Sequence, residues 1–120
     1  MNNLLFVFIG GGLGSVSRYA LGLFVSDKFK SLFPWGTLSI NVLACFILGI
    51  TTAWIASKGD NTTLRLLTGV GFCGGFSTFS TFTAETMNLL SRGQTASALL
   101  YIAGSIALCM LAFSAGMMMK

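Results

Sequence analysis

LLTGVGFCGGFSTFSTFTAETMNLL, residues 66–90, is apolar throughout, yet it is loosened by glycine and lined with hydroxyls. Gly69, Gly71, Gly74 and Gly75 precede a run in which Ser77, Thr78, Ser80 and Thr81 alternate with Phe79 and Phe82. The run is longer than the roughly 20 residues a helix needs to cross a hydrocarbon core. Glycine is a poor helix former, so Gly74 and Gly75, with four hydroxyls beside them, predict that the helix breaks near its centre. A break frees N–H and C=O groups at mid-membrane, which is tolerated only where protein, water or an ion satisfies them. Freed carbonyls are hard oxygen donors suited to a cation, as in discontinuous transporter helices.

The rest of the chain puts this run in a membrane. Of 120 residues, 54% are hydrophobic and 8% charged, and mean hydropathy is +0.84. A soluble domain carries roughly 25% charged residues. Three more apolar runs, 4–25, 36–57 and 95–119, are each long enough to span. The connections at 26–35, 58–65 and 91–94 are short, and the first holds the only proline. The reading is an all-α membrane protein, one domain over 1–120, with four transmembrane helices. The first run has no positive n-region and is too long for a signal peptide. Cys45, Cys73 and Cys109 are odd in number and lie within spans, so they read as small apolar packing residues rather than a disulfide framework. Histidine is absent, which removes His-based acid–base chemistry and His-ligated metals. No nucleophile–base pair or metal-ligand set appears, so an enzyme is not expected.

With four spans both termini share a side. Lys58, Arg65 and Lys120 fall on it, and Lys28, Lys30 and Arg92 fall opposite. Orientation follows the Lys/Arg asymmetry of short loops, and three against three is no asymmetry. Two readings follow: a chain that inserts both ways up, or one weakly biased orientation. Dual insertion implies an antiparallel homodimer with its two-fold axis in the membrane plane, a two-chain analogue of inverted repeats. Four short helices enclose little, so a polar pathway falls more naturally between subunits.

Inside the spans, Gly10, Gly14 and Arg18 recur at i, i+4, i+8, with Gly11 and Ser15 as a second small pair. The glycines read as close helix packing. Arg18 has two readings: a cation that draws anions to a cavity mouth, or a side chain snorkelling to the headgroups. Thr37 and Asn41 share a helical face. Asn41 is either an interhelical hydrogen bond or a donor aimed into an ion path. Phe79 and Phe82 are three apart, so both rings point one way, and Ser77, Thr81 and Glu85 form a polar row beside them. Ring edges are positive, so edges plus hydroxyl and amide donors make a route for a small dehydrated anion. Packing is the plainer reading of the phenylalanines, and Glu85 fits such a route only if it is hydrogen-bonded away or protonated. Tyr101, Ser105 and Ser114 extend a polar track or pack as hydroxyls.

GGGLGSVSRY at 10–19, PWGTLSINVL at 34–43 and GFCGGFSTFSTFTAET at 71–86, in a four-span chain, resemble the small bacterial fluoride channels of the CrcB or Fluc family. The resemblance covers essentially the whole chain. It implies an antiparallel dual-topology homodimer in the bacterial inner membrane, exporting toxic fluoride passively through two pores, with selectivity over chloride. Carried over by motif, the rings beside each path are Phe79 and Phe82, and the asparagine facing it is Asn41. Ser80, Thr81, Tyr101, Glu85 and Thr37 belong to the polar route, and Arg18 to an anion vestibule. A central structural Na+ is implied on the backbone carbonyls of Gly74 and Ser77 from both subunits; serine at 77 replaces the family's frequent threonine without changing a main-chain ligand. The expected partners are a second copy, fluoride and the lipid bilayer, with no nucleic acid. The rival reading is a dual-topology, proton-coupled multidrug or cation exporter. It needs a carboxylate deep in the first span, where only Arg18 is charged.

Overall fold

The computed structural model describes residues 2–119, so Lys120 of the charge tally lies outside the described residues. Every regular element among them is helical. α1 spans Asn2–Lys28, α2 Trp35–Lys58 and α6 Thr95–Met117. Between α2 and α6 the chain forms α3 at Thr62–Leu64, a π-helical segment at Arg65–Cys73, α4 at Gly74–Phe76 and α5 at Phe79–Ser91. α1, α2 and α6 are each long and apolar enough to cross a membrane. The predicted run at 66–90 is divided among shorter pieces. The chain is thus an all-helical, multi-pass membrane protein.

The ends of these elements follow from local chemistry. Gly59 closes α2 at φ 97°, and Gly93 turns α5 into α6 at φ 75°, a left-handed region that glycine enters at no steric cost. The Asn61 side chain accepts from the Leu64 amide at 2.9 Å and starts α3. Thr78 does the same for α5 by accepting from the Thr81 amide at 3.2 Å, satisfying an otherwise orphaned donor.

Two pairs of helices pack through glycine. A Cβ on Gly10 would land on the Leu67 carbonyl oxygen, and one on Gly14 on that of Phe72, so α1 lies flush on the π-helical segment and α4. A Cβ on Gly75 would strike the Gly11 carbonyl and the Ser15 hydroxyl. On the other side, Gly49 of α2 meets the Phe113 carbonyl, and Gly116 of α6 meets that of Phe46. Apolar side chains gain nothing by leaving lipid for each other, so close backbone contact supplies the attraction between spans.

α2 joins the two pairs. A third of its most apolar window, 33%, is buried, against 11% in α1 and 17% in α6. Ile40 and Ala44 pack with Phe76 on one flank, while Leu38 packs with Leu89, Ala98 and Tyr101 on the other. α1 and α6 turn Leu4, Phe8, Val16, Leu100, Met110 and Leu111 outward.

One expectation of placement is corrected. Gly74 and Gly75 remain helical, and the residues that leave helical geometry are Ser77 (φ −78°, ψ 159°) and Thr78 (φ −150°, ψ 120°). The glycines serve close packing instead. The row Ser77, Thr81, Glu85 is therefore not a single helical face. Ser77 lies before α5, and its hydroxyl donates back to the Cys73 carbonyl at 2.7 Å.

Candidate functional site

The non-helical pair Ser77 and Thr78 is held from across the bundle. The Thr78 amide donates to Asn41 Oδ1 at 2.9 Å, and Asn41 Nδ2 donates to the Thr78 carbonyl at 3.2 Å. One side chain of α2 thus bonds both the amide and the carbonyl of Thr78. Left unmade, each buried group would cost about 1–3 kcal/mol. An asparagine amide carries two donor hydrogens and two acceptor sites, so half of Asn41's capacity remains. Both open readings of Asn41 therefore have room: it makes the interhelical bond, and it retains a hydrogen for another acceptor.

Because the Thr78 amide turns to Asn41, the Gly74 carbonyl lacks its helical donor. Neither it nor the Ser77 carbonyl accepts a hydrogen bond among the described residues. Gly74 is exposed, and a Cβ there would meet nothing within 4 Å. Two hard main-chain oxygens at an open point are of the chemical type that suits a monovalent cation such as Na+. No group of three or more His, Cys, Asp or Glu side chains competes for a metal among the described residues.

Arg18 turns into the bundle rather than toward the headgroups. Its Nε donates to the Gly75 carbonyl at 3.1 Å, beside the Ser15 hydroxyl at 3.5 Å from the same oxygen. It lines a cavity of about 410 Å³ with Lys30, Thr37, Thr78, Thr81 and Glu85. Arg18 and Glu85 share this space without pairing, since the only ion pair among the described residues is the exposed Arg65–Asp60 contact.

Glu85 is engaged on both oxygens. Buried Thr37 of α2 donates to Oε1 at 2.7 Å, and buried Tyr101 of α6 donates to Oε2 at 2.8 Å. Three residues from three helices, each singled out in the sequence separately, meet on one carboxylate. These two hydrogen bonds tie α5 to both neighbours.

On the other side of Thr78 lies a groove of about 260 Å³. Asn41, Ser77, Thr78, Phe79, Phe82 and Ser105 line it, with Cys45 and Cys109 beyond. The Phe79 and Phe82 ring centroids are 5.6 Å apart, and Phe82 lies 4.9 Å from Tyr101. Phe79 is exposed, and Phe82 is half-buried. Thr78 Oγ1 donates to Thr81 Oγ1 at 3.1 Å and lies 3.3 Å from the Ser80 hydroxyl. In the groove wall the buried Ser105 hydroxyl has no hydrogen-bond partner among the described residues.

Thr78 and Ser105 were underrated in the sequence. Thr78 had a local signal, a threonine three residues before another at the start of a helix, which is an N-cap pattern. Ser105 had none beyond its spacing from Tyr101. Lys30, counted only as a loop charge, joins the cavity wall because the 26–35 connection folds back over it.

A glycine-packed helical membrane protein with donors and ring edges gathered around the non-helical pair Ser77 and Thr78 has the makings of an ion pathway. The sequence profile of the family described as "CrcB-like protein, Camphor Resistance (CrcB)" matches residues 5–117. A protein of Phocaeicola vulgatus is 40% identical over 120 residues, covering 100% of this chain and 99% of that protein. One from Rhizobium johnstonii is 43% identical over 118 residues (98% and 94%), and one from Novosphingobium aromaticivorans 45% over 103 (84% and 82%). All three carry the name fluoride-specific ion channel FluC. This chain belongs to the CrcB family.

Proposed function

We propose that the chain is a fluoride-selective channel of the bacterial inner membrane, releasing toxic fluoride passively. It works as an antiparallel, dual-topology homodimer with two pores and a structural Na+ between them. The names of its relatives support the permeant ion. The observation that carries the mechanism is the Ser105 hydroxyl, a buried donor without an acceptor among the described residues. It shares a groove with the spare amide hydrogen of Asn41 and the rings of Phe79 and Phe82.

Fluoride is small and holds its water tightly, so it enters an apolar groove only where donors replace that water. Buried donors without partners are costly in themselves, and an anion relieves the cost as it passes. Phenyl edges carry positive potential and bridge the gaps between hydroxyls. The cavity holding Arg18 and Lys30 is the vestibule, where two cations raise the local anion concentration. Thr37 and Tyr101 keep the Glu85 carboxylate directed at hydroxyls, which answers the objection that an acidic residue sits beside an anion route. The same engagement of both oxygens speaks against proton-coupled export of a cationic drug, which needs a carboxylate free to take either cargo.

In this reading residues 62–91 form the fourth crossing, broken at Ser77 and Thr78. The open carbonyls of Gly74 and Ser77 fit a sodium ion shared by two chains. A bound cation there offsets the desolvation of those oxygens and joins the subunits. A caged ion does not travel, so it drives no transport.

The test is passive efflux from liposomes loaded with fluoride or with chloride, without a proton gradient. Rapid fluoride release with chloride retained is the expected result; equal release of both ions would end the selectivity claim.

A further inference from the structure

Thr37, Asn41 and Cys45 recur at i, i+4, i+8 on α2, and Tyr101, Ser105 and Cys109 do so on α6. Such spacing places each set in one row. The rows run side by side in the same direction. Thr37 and Tyr101 meet on Glu85, Asn41 and Ser105 line one groove, and further along Gly49 meets Gly116. The third rung is a pair of thiols. Cys45 and Cys109 both line the groove, half-buried, at the same level of the two rows. Cys73 is different. It does not line the groove, and its Sγ points at the Ala44 carbonyl at 3.7 Å.

We propose that Cys45 and Cys109 form a two-coordinate site for a soft monovalent cation such as silver or copper(I). Thiolate sulfur selects soft ions. Among the described residues no group of three or more His, Cys, Asp or Glu could hold a metal, so the pair does not meet the four-ligand demand of structural zinc. The chemistry balances without a redox step. Ag+ displaces one thiol proton, which leaves to water, and one S–Ag bond forms. The second sulfur adds its lone pair as a neutral thiol, so the site gains no net charge. That matters in an apolar wall, where an uncompensated charge is strongly disfavoured. The loaded site lies one turn beyond Asn41 and Ser105, in the groove that "Proposed function" assigns to the anion; silver there would therefore halt conduction, a consequence that rests on that reading.

The experiment uses the full-length protein in detergent, in chloride-free nitrate buffer, with silver nitrate as the probe. After desalting, one silver per chain is expected by elemental analysis. Peptide mass mapping should show Cys45 and Cys109 protected from maleimide, with Cys73 unprotected by silver. Cys45→Ser and Cys109→Ser should each lose the bound silver, while Cys73→Ser keeps it. Cys45→Ala and Cys109→Ala replace any serine variant that fails to elute as folded protein. Silver retained in both Cys45 and Cys109 variants, or lost only in Cys73→Ser, overturns the site. Binding is read without any flux measurement, so it is judged separately from the channel reading. If silver binds as described yet fluoride efflux from liposomes continues, the site stands and its place on the conduction route falls.

Discussion

Asn41 shows how one side chain can hold a fold and leave part of itself for function. It bonds both the amide and the carbonyl of Thr78 and still retains a donor hydrogen. Asn41→Leu, similar in volume, should leave both Thr78 groups unmet, at about 1–3 kcal/mol each. Thermal unfolding in detergent should show a marked drop. Asn41→Asp keeps the acceptor for the Thr78 amide and loses the donor. Its stability loss should be the smaller of the two, while fluoride efflux should stop because a negative charge enters the anion route. Normal efflux in the aspartate variant would place Asn41 off the route. Ring-edge effects are worth about 0.5–1.5 kcal/mol, so Phe82→Ile should slow efflux by up to roughly tenfold with the dimer intact. Tyr101→Phe removes one of the two hydroxyls on Glu85 and should slow efflux as well. Adding Glu85→Gln to that variant should restore part of the rate. If the double variant is as slow as the single one, the carboxylate charge is not what obstructs.

At the level of helices, some glycines lie against backbone, some face only a side chain, and some touch nothing. Gly49 and Gly116 each face a carbonyl oxygen of the other's helix, whereas a Cβ on Gly12 meets nothing within 4 Å. Overfilling a packed contact typically costs about 1–3 kcal/mol, and a surface change stays within about 0.5 kcal/mol. Gly49→Ala should therefore lower the melting temperature clearly and Gly12→Ala hardly at all. A large loss in Gly12→Ala would mean that a second chain packs on that face. The position of the interruption belongs to this scale too. Gly74 and Gly75 have the composition of a break, yet they stay helical because Gly75 is needed against Gly11 and Ser15. The chain opens two residues later, where Asn41 of another helix supplies the lost hydrogen bonds. Local propensity is a weak prior that tertiary partners override.

For the whole molecule, the even Lys/Arg tally and the open carbonyls of Gly74 and Ser77 both bear on assembly. If two orientations are required, Lys58→Gln with Arg65→Gln should bias insertion one way and abolish efflux. Coexpression with an oppositely biased Lys28→Gln, Lys30→Gln chain should restore it. Full activity of the first variant alone would mean that a parallel or single-orientation assembly suffices. If sodium on the Gly74 and Ser77 carbonyls joins two chains, replacing it by a large organic cation throughout purification should slow efflux and shift the protein toward single chains on size exclusion; no change in either would end the sodium proposal.

Hydropathy and periodicity alone determined the membrane setting, the all-helical class and the shared face of Gly10, Gly14 and Arg18, because these depend on neighbours along one helix. The motifs were enough to place the chain beside the fluoride channels. Only the tertiary structure decided that Thr37 and Tyr101 meet on Glu85, that Arg18 turns inward to Gly75, that Ser105 finds no partner among the described residues, and that the chain opens at Ser77 and Thr78. Each of those outcomes depends on which hydrogen-bonding group from a distant helix arrives within about 3 Å, and spacing along a single strand of sequence carries no information about that.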